Sequence, residues 1–146
     1  QVVAYDFNPN HYHLILKQLV DGGISTFMHR YGTSISNHYN YAYKRRGGLF
    51  EGKFKAKHLT DNDYLLHASA YVNLNFKVHR ITGPKLLLVR SSWDEYRLGK
   101  AGICTKDIIL DQFSSPPEYE KFALDSLELM LDAKKDQKEI REIEFE

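Results

Sequence analysis

Apolar and polar residues recur along the chain with the spacings of strands and helices. Residues 1–7 and 11–17 combine β-branched, aromatic and aliphatic side chains, which predicts two short strands. Asn8-Pro9-Asn10 lies between them and is typical of a turn, because proline fixes φ and asparagine tolerates left-handed backbone. The chain therefore begins with two predicted strands joined by a turn.

Helical periodicity, with apolar residues three and four positions apart, marks the segments that follow. Ser25 is predicted to cap the first helix, and Thr60 or Asp61 the second. The predicted helices cover residues 24–43, 61–74, 105–113 and 118–144, the last of them acidic.

A further strand is predicted from Leu49 to Leu59, where phenylalanines and basic side chains are interleaved. Strands mixed with helices predict a compact α+β domain. The chain opens at Gln1, inside a predicted strand, so we expect part of the fold to lie upstream.

Composition narrows the class of protein. A chain of 146 residues, 42% hydrophobic and 27% charged, is expected to form about one domain with a packed core. Cys104 is the only cysteine, which excludes an intramolecular disulfide and favours a reducing compartment. Purely apolar runs reach only about four residues, so neither a membrane-spanning helix nor a signal-peptide core is predicted.

Charge is divided unevenly along the chain. Residues 1–117 carry 15 Lys and Arg against 9 Asp and Glu, whereas residues 118–146 carry 5 against 10. The overall charge of +1 therefore averages a basic body and an acidic tail. A basic body favours a polyanionic partner.

Two short motifs suggest chemistry. His11 and His13 are two apart in a predicted strand, so both imidazoles face one side and can bind one metal ion. The alternative is a pair of surface histidines on an edge strand. Tyr71 and Asn75 are four apart in a predicted helix, which places a hydroxyl beside an amide. The alternative is a core tyrosine followed by an ordinary helix-terminal asparagine.

Basic and aromatic residues cluster between residues 44 and 58. Lys53, Lys55 and Lys57 alternate, so they are predicted to share one strand face beside Phe54. Such a surface suits single-stranded nucleic acid, because cations follow the phosphates and rings stack on bases. The alternative is a solvated strand face. The candidate DNA-binding residues are Lys44, Arg45, Arg46, Lys53, Phe54, Lys55, Lys57 and His58.

Taken in order, these motifs resemble those of the HUH-type single-tyrosine transposases. Residues 8–16 (NPNHYHLIL) resemble the family's HUH segment, although Tyr12 stands where an aliphatic residue is commoner. Residues 71–75 (YVNLN) resemble the Tyr-Ile-x-x-Asn motif of the REP-associated branch, with Phe76 where that branch usually has proline. Residues 91–96 (SSWDEY) resemble its Trp-Ser-Ser-Tyr segment, with the tryptophan displaced. The resemblance spans about residues 1–113.

The resemblance implies a fold and an activity. The fold would be a ferredoxin-like or RRM-like HUH endonuclease, a central antiparallel sheet with helices on its faces, lacking its first strand and helix. Residues 1–113 would form the catalytic domain and 114–146 an acidic helical extension. Tyr71 would attack DNA to form a 5′-phosphotyrosine, with Mg²⁺ or Mn²⁺ bound by His11, His13 and Asn75.

The implied partner is single-stranded or hairpin DNA, with no membrane, and the implied location is the bacterial cytoplasm at the nucleoid. A homodimer is left open. Two alternative functions remain at this point: a catalytically inactive nucleic-acid-binding relative of the same fold, and a metal-dependent nuclease that forms no covalent intermediate.

Overall fold

The structure is a computed structural model that describes the backbone of residues 1–144 and the side chains of residues 1–135. The chain forms two compact units. The first unit comprises Gln1–Leu16 together with the chain from Leu59 onwards, and the second comprises Lys17–His58. The sequence predicted a catalytic domain (1–113) and an extension (114–146). That division concerns function rather than compactness, and it stays a prediction.

A small antiparallel sheet lies in the first unit. Its strands are β1 (Val2–Phe7), β2 (Tyr12–Leu16) and β3 (Arg90–Ser91), in the order β2-β1-β3. Strands β1 and β2 confirm the two predicted N-terminal strands. They pair antiparallel, with Phe7 opposite Tyr12 and Asp6 opposite His13. The two-residue strand β3 pairs with the end of β1, where Asp6 faces Ser91.

The helices have the following bounds: α1 (Gly23–Ala42), α2 (Asn62–Asn73), α3 (Asn75–Val78), α4 (Trp93–Arg97), α5 (Asp107–Leu110) and α6 (Pro116–Glu144), with a 3-10 helix at Gly83–Leu88. The four predicted helices are confirmed, although α5 is shorter than expected. Asp61 is the cap of α2, because its Oδ1 accepts a hydrogen bond from the Tyr64 backbone N–H at 2.9 Å.

Helix α2 is held in the first unit by a buried polar network as well as by apolar packing. The Tyr119 hydroxyl of α6 lies 2.8 Å from Asn73 Nδ2, which donates to it, and 3.0 Å from Ser69 Oγ. The Ser92 hydroxyl donates to Asn73 Oδ1 at 2.5 Å, and Ser92 Oγ accepts from the Tyr5 N–H at 2.9 Å. Each such bond contributes about 1 kcal/mol net. The network joins α2 to α6 and to the sheet.

The second unit is built around α1. Ser25 does not cap this helix: the helix begins two residues earlier, and its N-cap residue is Gly22 at φ 67°, which makes no side-chain cap. Gln18 Oε1 accepts a hydrogen bond from the Ile24 N–H at 3.3 Å, which satisfies one of the first-turn donors. Met28 is the one residue of α1 classed as buried.

The predicted strand from Leu49 to Leu59 is wrong: this segment forms bends followed by irregular coil. The unit of residues 17–58 contains no strand. The backbone N–H and C=O groups of residues 49–58 therefore have no strand to pair with inside that unit. The corollary that Lys53, Lys55 and Lys57 share one strand face is also wrong.

At the coarse level the fold class is confirmed, because the chain is α+β with a three-stranded antiparallel sheet and helices. Within the part of the chain that is described, none of the helices has the length and apolar character needed to cross a membrane.

Candidate metal and tyrosine site

The turn between β1 and β2 sets the positions of the two histidines. The Asn8 backbone N–H donates to the His11 carbonyl at 2.9 Å, which closes the turn. His11 precedes β2 and His13 lies within it. Their ring centroids are 5.3 Å apart with the planes at 77°, so both imidazoles occupy one side of the hairpin.

Asn75 reaches this site from a break between two helices. The sequence predicted Tyr71 and Asn75 on one helix, but α2 ends at Asn73 and Asn75 begins α3. Leu74, at φ −111° and ψ 15°, makes the break. Asn75 is fully buried, and its Oδ1 lies 2.9 Å from His11 Nε2. Its Nδ2 has no hydrogen-bond partner among the described residues.

The His11 tautomer follows from its neighbours. Asn10 Oδ1 lies 2.8 Å from His11 Nδ1, and because an amide oxygen can only accept, this orientation of Asn10 corresponds to the tautomer with the proton on Nδ1. In the neutral ring, the Nε2 lone pair then faces Asn75 Oδ1, which is also an acceptor. Asn8 Nδ2 lies within hydrogen-bond distance of both acceptors, at 2.9 Å from Asn75 Oδ1 and 3.2 Å from His11 Nε2, and a divalent cation is the other kind of group that can satisfy such a pair.

The separation also suits a metal ion. Two ligands bound at about 2.1 Å and at a right angle stand about 3.0 Å apart, close to the observed 2.9 Å. Imidazole nitrogen and amide oxygen together suit Mn²⁺ better than Mg²⁺, which prefers oxygen. Among the side chains described, no three His, Cys, Asp or Glu form a metal-binding group. The candidate set therefore depends on the Asn75 amide.

Tyr71 lies against the second histidine. Its ring is half-buried and meets the His13 ring edge-on, with centroids 5.4 Å apart and planes at 76°. Burial, with the nearby His11 and His79, lowers the pKa of His13. The neutral imidazole, which is the form that binds metals, is therefore favoured beside the tyrosine at neutral pH.

A buried carboxyl group supports the turn. Asp6 is fully buried, and its Oδ2 accepts a hydrogen bond from Asn8 Nδ2 at 2.5 Å. Burial raises the pKa of Asp6 to about 7, against the opposing effect of hydrogen bonds from Asn8 and Ser91. Asn8 Nδ2 also donates to Asn75 Oδ1 at 2.9 Å and lies 3.2 Å from His11 Nε2.

Two more side chains near the site were not assigned to it from the sequence. The His79 ring is 4.6 Å from the His11 ring, and burial, with the charge of Lys134 next, lowers the pKa of His79. Lys134 Nζ of α6 lies 3.4 Å from the Val78 carbonyl. The four-residue spacing of Asn75 and His79 was an available signal for the first. Nothing in the sequence indicates Lys134, which lies 59 residues after Asn75.

The candidate DNA-binding residues all lie in the second unit and are all exposed, namely Lys44, Arg45, Arg46, Lys53, Phe54, Lys55, Lys57 and His58. The Arg45 guanidinium lies over the Tyr39 ring at 5.5 Å, and the Tyr39 and Tyr43 ring centroids are 4.4 Å apart with the planes tilted by 36°. The unit therefore presents cations beside aromatic rings without relying on a strand.

No protein-family model, curated protein or solved structure matches the chain. The chain is an α+β protein. Its candidate site brings together two histidines from the hairpin with a tyrosine and a buried asparagine from the junction of α2 and α3.

Proposed function

We propose that this protein cleaves and rejoins single-stranded or hairpin DNA through a covalent 5′-phosphotyrosine at Tyr71, as the HUH-type single-tyrosine transposases do. One observation carries the proposal: Tyr71 lies against His13, and the neighbouring His11 lies 2.9 Å from Asn75 Oδ1. A nucleophile and three candidate ligands from distant parts of the sequence thus form one cluster.

The proposed reaction exchanges one phosphodiester for another. The Tyr71 oxygen loses its proton and attacks the scissile phosphorus, and the bond from phosphorus to the 3′ oxygen breaks. That oxygen takes a proton to become a free 3′-OH, while the 5′ phosphate stays on Tyr71. Attack by a 3′-OH on the phosphotyrosine reverses the exchange and rejoins strands, so no nucleotide cofactor is consumed.

His11, His13 and Asn75 are the residues that would hold the divalent ion, Mg²⁺ or Mn²⁺. Bound there, the ion would offset negative charge on the non-bridging phosphate oxygens. The ligands themselves are neutral, and their positions are fixed by the turn and by burial of Asn75. The edge-on packing of Tyr71 on His13 keeps the nucleophile close to the ligand set.

The second unit would hold the DNA. Its exposed lysines and arginines would follow the phosphates, and Phe54, 45% exposed, offers a ring on which a base can stack. The ferredoxin-like HUH fold, the division into a catalytic domain (1–113) and an extension (114–146), and a location at the bacterial nucleoid are parts of the same proposal. A homodimer stays an open prediction.

Labelled single-stranded hairpin DNA, incubated with the protein and Mn²⁺ or Mg²⁺ and run on a denaturing gel, tests the proposal. A protein-linked DNA product is the expected result. Binding without any product would instead indicate an inactive nucleic-acid-binding protein. Free cleaved DNA without a protein-linked species would indicate a nuclease with no covalent intermediate.

A further inference from the structure

A chain of hydrogen bonds runs from a buried carboxyl group to the candidate metal ligands. Asn8 Nδ2 has two protons. One is donated to Asp6 Oδ2 at 2.5 Å. The second is donated to Asn75 Oδ1 at 2.9 Å, and His11 Nε2 lies 3.2 Å from the same nitrogen. Asp6 and Asn75 are both fully buried, whereas Asn8 and His11 are partly exposed.

We propose that Asp6 and Asn8 are positioning residues, which hold Asn75 Oδ1 in the geometry that binds a divalent cation. This inference rests on the proposed function, because it concerns the same ligand set. It adds two residues that are neither the candidate nucleophile nor candidate metal ligands.

Geometry explains how Asn8 can support a ligand without occupying its place. An amide oxygen has two lone pairs, so Asn75 Oδ1 can accept from Asn8 with one and bind a cation with the other. Without Asn8, the Asn75 side chain is free to rotate, and its oxygen and nitrogen can exchange places. Outer hydrogen bonds of this kind orient metal ligands, and their loss weakens metal binding 10- to 100-fold in known sites.

Asp6 acts one step further out. Its carboxyl oxygen fixes which way the Asn8 amide points, because only the NH₂ group can donate to it. A flipped Asn8 would place its oxygen against both Asp6 Oδ2 and Asn75 Oδ1, and three acceptors would then face one another.

The test measures Mn²⁺ affinity by electron paramagnetic resonance on the full chain, without DNA. Asn8→Ala and Asp6→Asn are each expected to bind Mn²⁺ about 10- to 100-fold more weakly than wild type. Because Asp6 acts through Asn8, the double variant is expected to bind no more weakly than Asn8→Ala alone. Asp94→Asn and Asn62→Ala make the same chemical changes at exposed positions and serve as controls with unchanged affinity.

Melting temperatures in EDTA separate a loss of metal binding from a loss of folding. The inference is overturned if wild type binds Mn²⁺ and both single variants bind it as tightly as wild type. It is also overturned if the two losses of affinity multiply in the double variant. In either case the proposed function stands. If wild type does not bind Mn²⁺, or His13→Ala binds as well as wild type, the metal centre itself is wrong. Should Asp6→Asn fail to fold, unchanged affinity in Asn8→Ala alone overturns the inference.

Discussion

The hairpin site and the basic segment of residues 44–58 differ in how their side chains are held. In the first, Asp6, Asn8, His11 and Asn75 are joined by hydrogen bonds of 2.5 to 3.2 Å, with two of the four fully buried. In the second, every candidate DNA-binding side chain is exposed. Chemistry at a phosphorus atom needs fixed positions, whereas attraction between lysines and phosphates tolerates mobile ones. Single substitutions should therefore be severe in the first region and mild in the second.

Among the residues around the nucleophile, the largest effect is expected at a metal ligand. His13→Ala should reduce metal-dependent DNA cleavage at least about 100-fold, because it removes one of three ligands and the ring against which Tyr71 packs. Cleavage rates at saturating Mn²⁺ measure this. His67→Ala is the matched control, since that histidine instead packs on Phe122 of α6 with rings 5.1 Å apart. Undiminished cleavage by His13→Ala would remove this residue from the site.

The buried carboxyl group should make stability depend on pH. The pKa of Asp6 is raised to about 7, so the folded chain binds this proton more tightly than the unfolded chain does. The resulting stabilisation is present at low pH and is lost as pH rises from about 4 to about 7. Between pH 4.5 and 7.5, in EDTA, the free energy of unfolding of wild type should fall by about 3 kcal/mol more than that of Asp6→Asn. Urea unfolding at the two pH values checks this.

The lowered pKa of His13 acts in the opposite direction and is common to both proteins, so the comparison isolates Asp6. Parallel pH profiles for the two proteins would show that Asp6 is ionised in the folded chain at both pH values.

Charge removal in the basic segment should have a graded effect. Replacing Lys53, Lys55 and Lys57 together by alanine should make the logarithmic salt slope of single-stranded DNA binding shallower by about 2, since each phosphate contact contributes about 0.7. Thermal stability should hardly change, because all three side chains are exposed. Fluorescence anisotropy at several salt concentrations measures the slope. An unchanged slope would assign these lysines to an ordinary solvated surface.

The smallest effect is expected from a single lysine beside the site. Lys134→Ala should make the salt slope shallower by about 0.7 if this side chain meets one phosphate. Lys135→Ala is the matched control, because its Nζ is paired with Asp132 at 3.4 Å. Equal slopes for both variants would exclude Lys134 from the DNA path.

The comparison between the two regions also explains what the sequence could predict. The turn at Asn8-Pro9-Asn10 and the cap at Asp61 depend on neighbouring residues, and both are found. The proposed strand from Leu49 to Leu59 depended on a partner strand that residues 17–58 do not contain.

Within the site, the short spacings in the sequence predicted His11, His13, Tyr71 and Asn75 as candidates. The break at Leu74 and the support by Asp6 and Asn8 could not be predicted, because they arise where the hairpin meets the junction of α2 and α3. Contacts of that kind depend on packing across 67 positions of sequence rather than on local pattern.

The central claim is that Tyr71 is the nucleophile, and trapping the covalent intermediate tests it most directly. Labelled hairpin DNA is incubated with Mn²⁺ and wild type, Tyr71→Phe or Tyr64→Phe, the last being a tyrosine of the same helix. On a denaturing gel, wild type and Tyr64→Phe should give a protein-linked band, and Tyr71→Phe should give none while binding DNA within about twofold of wild type. A protein-linked band from Tyr71→Phe would contradict the account.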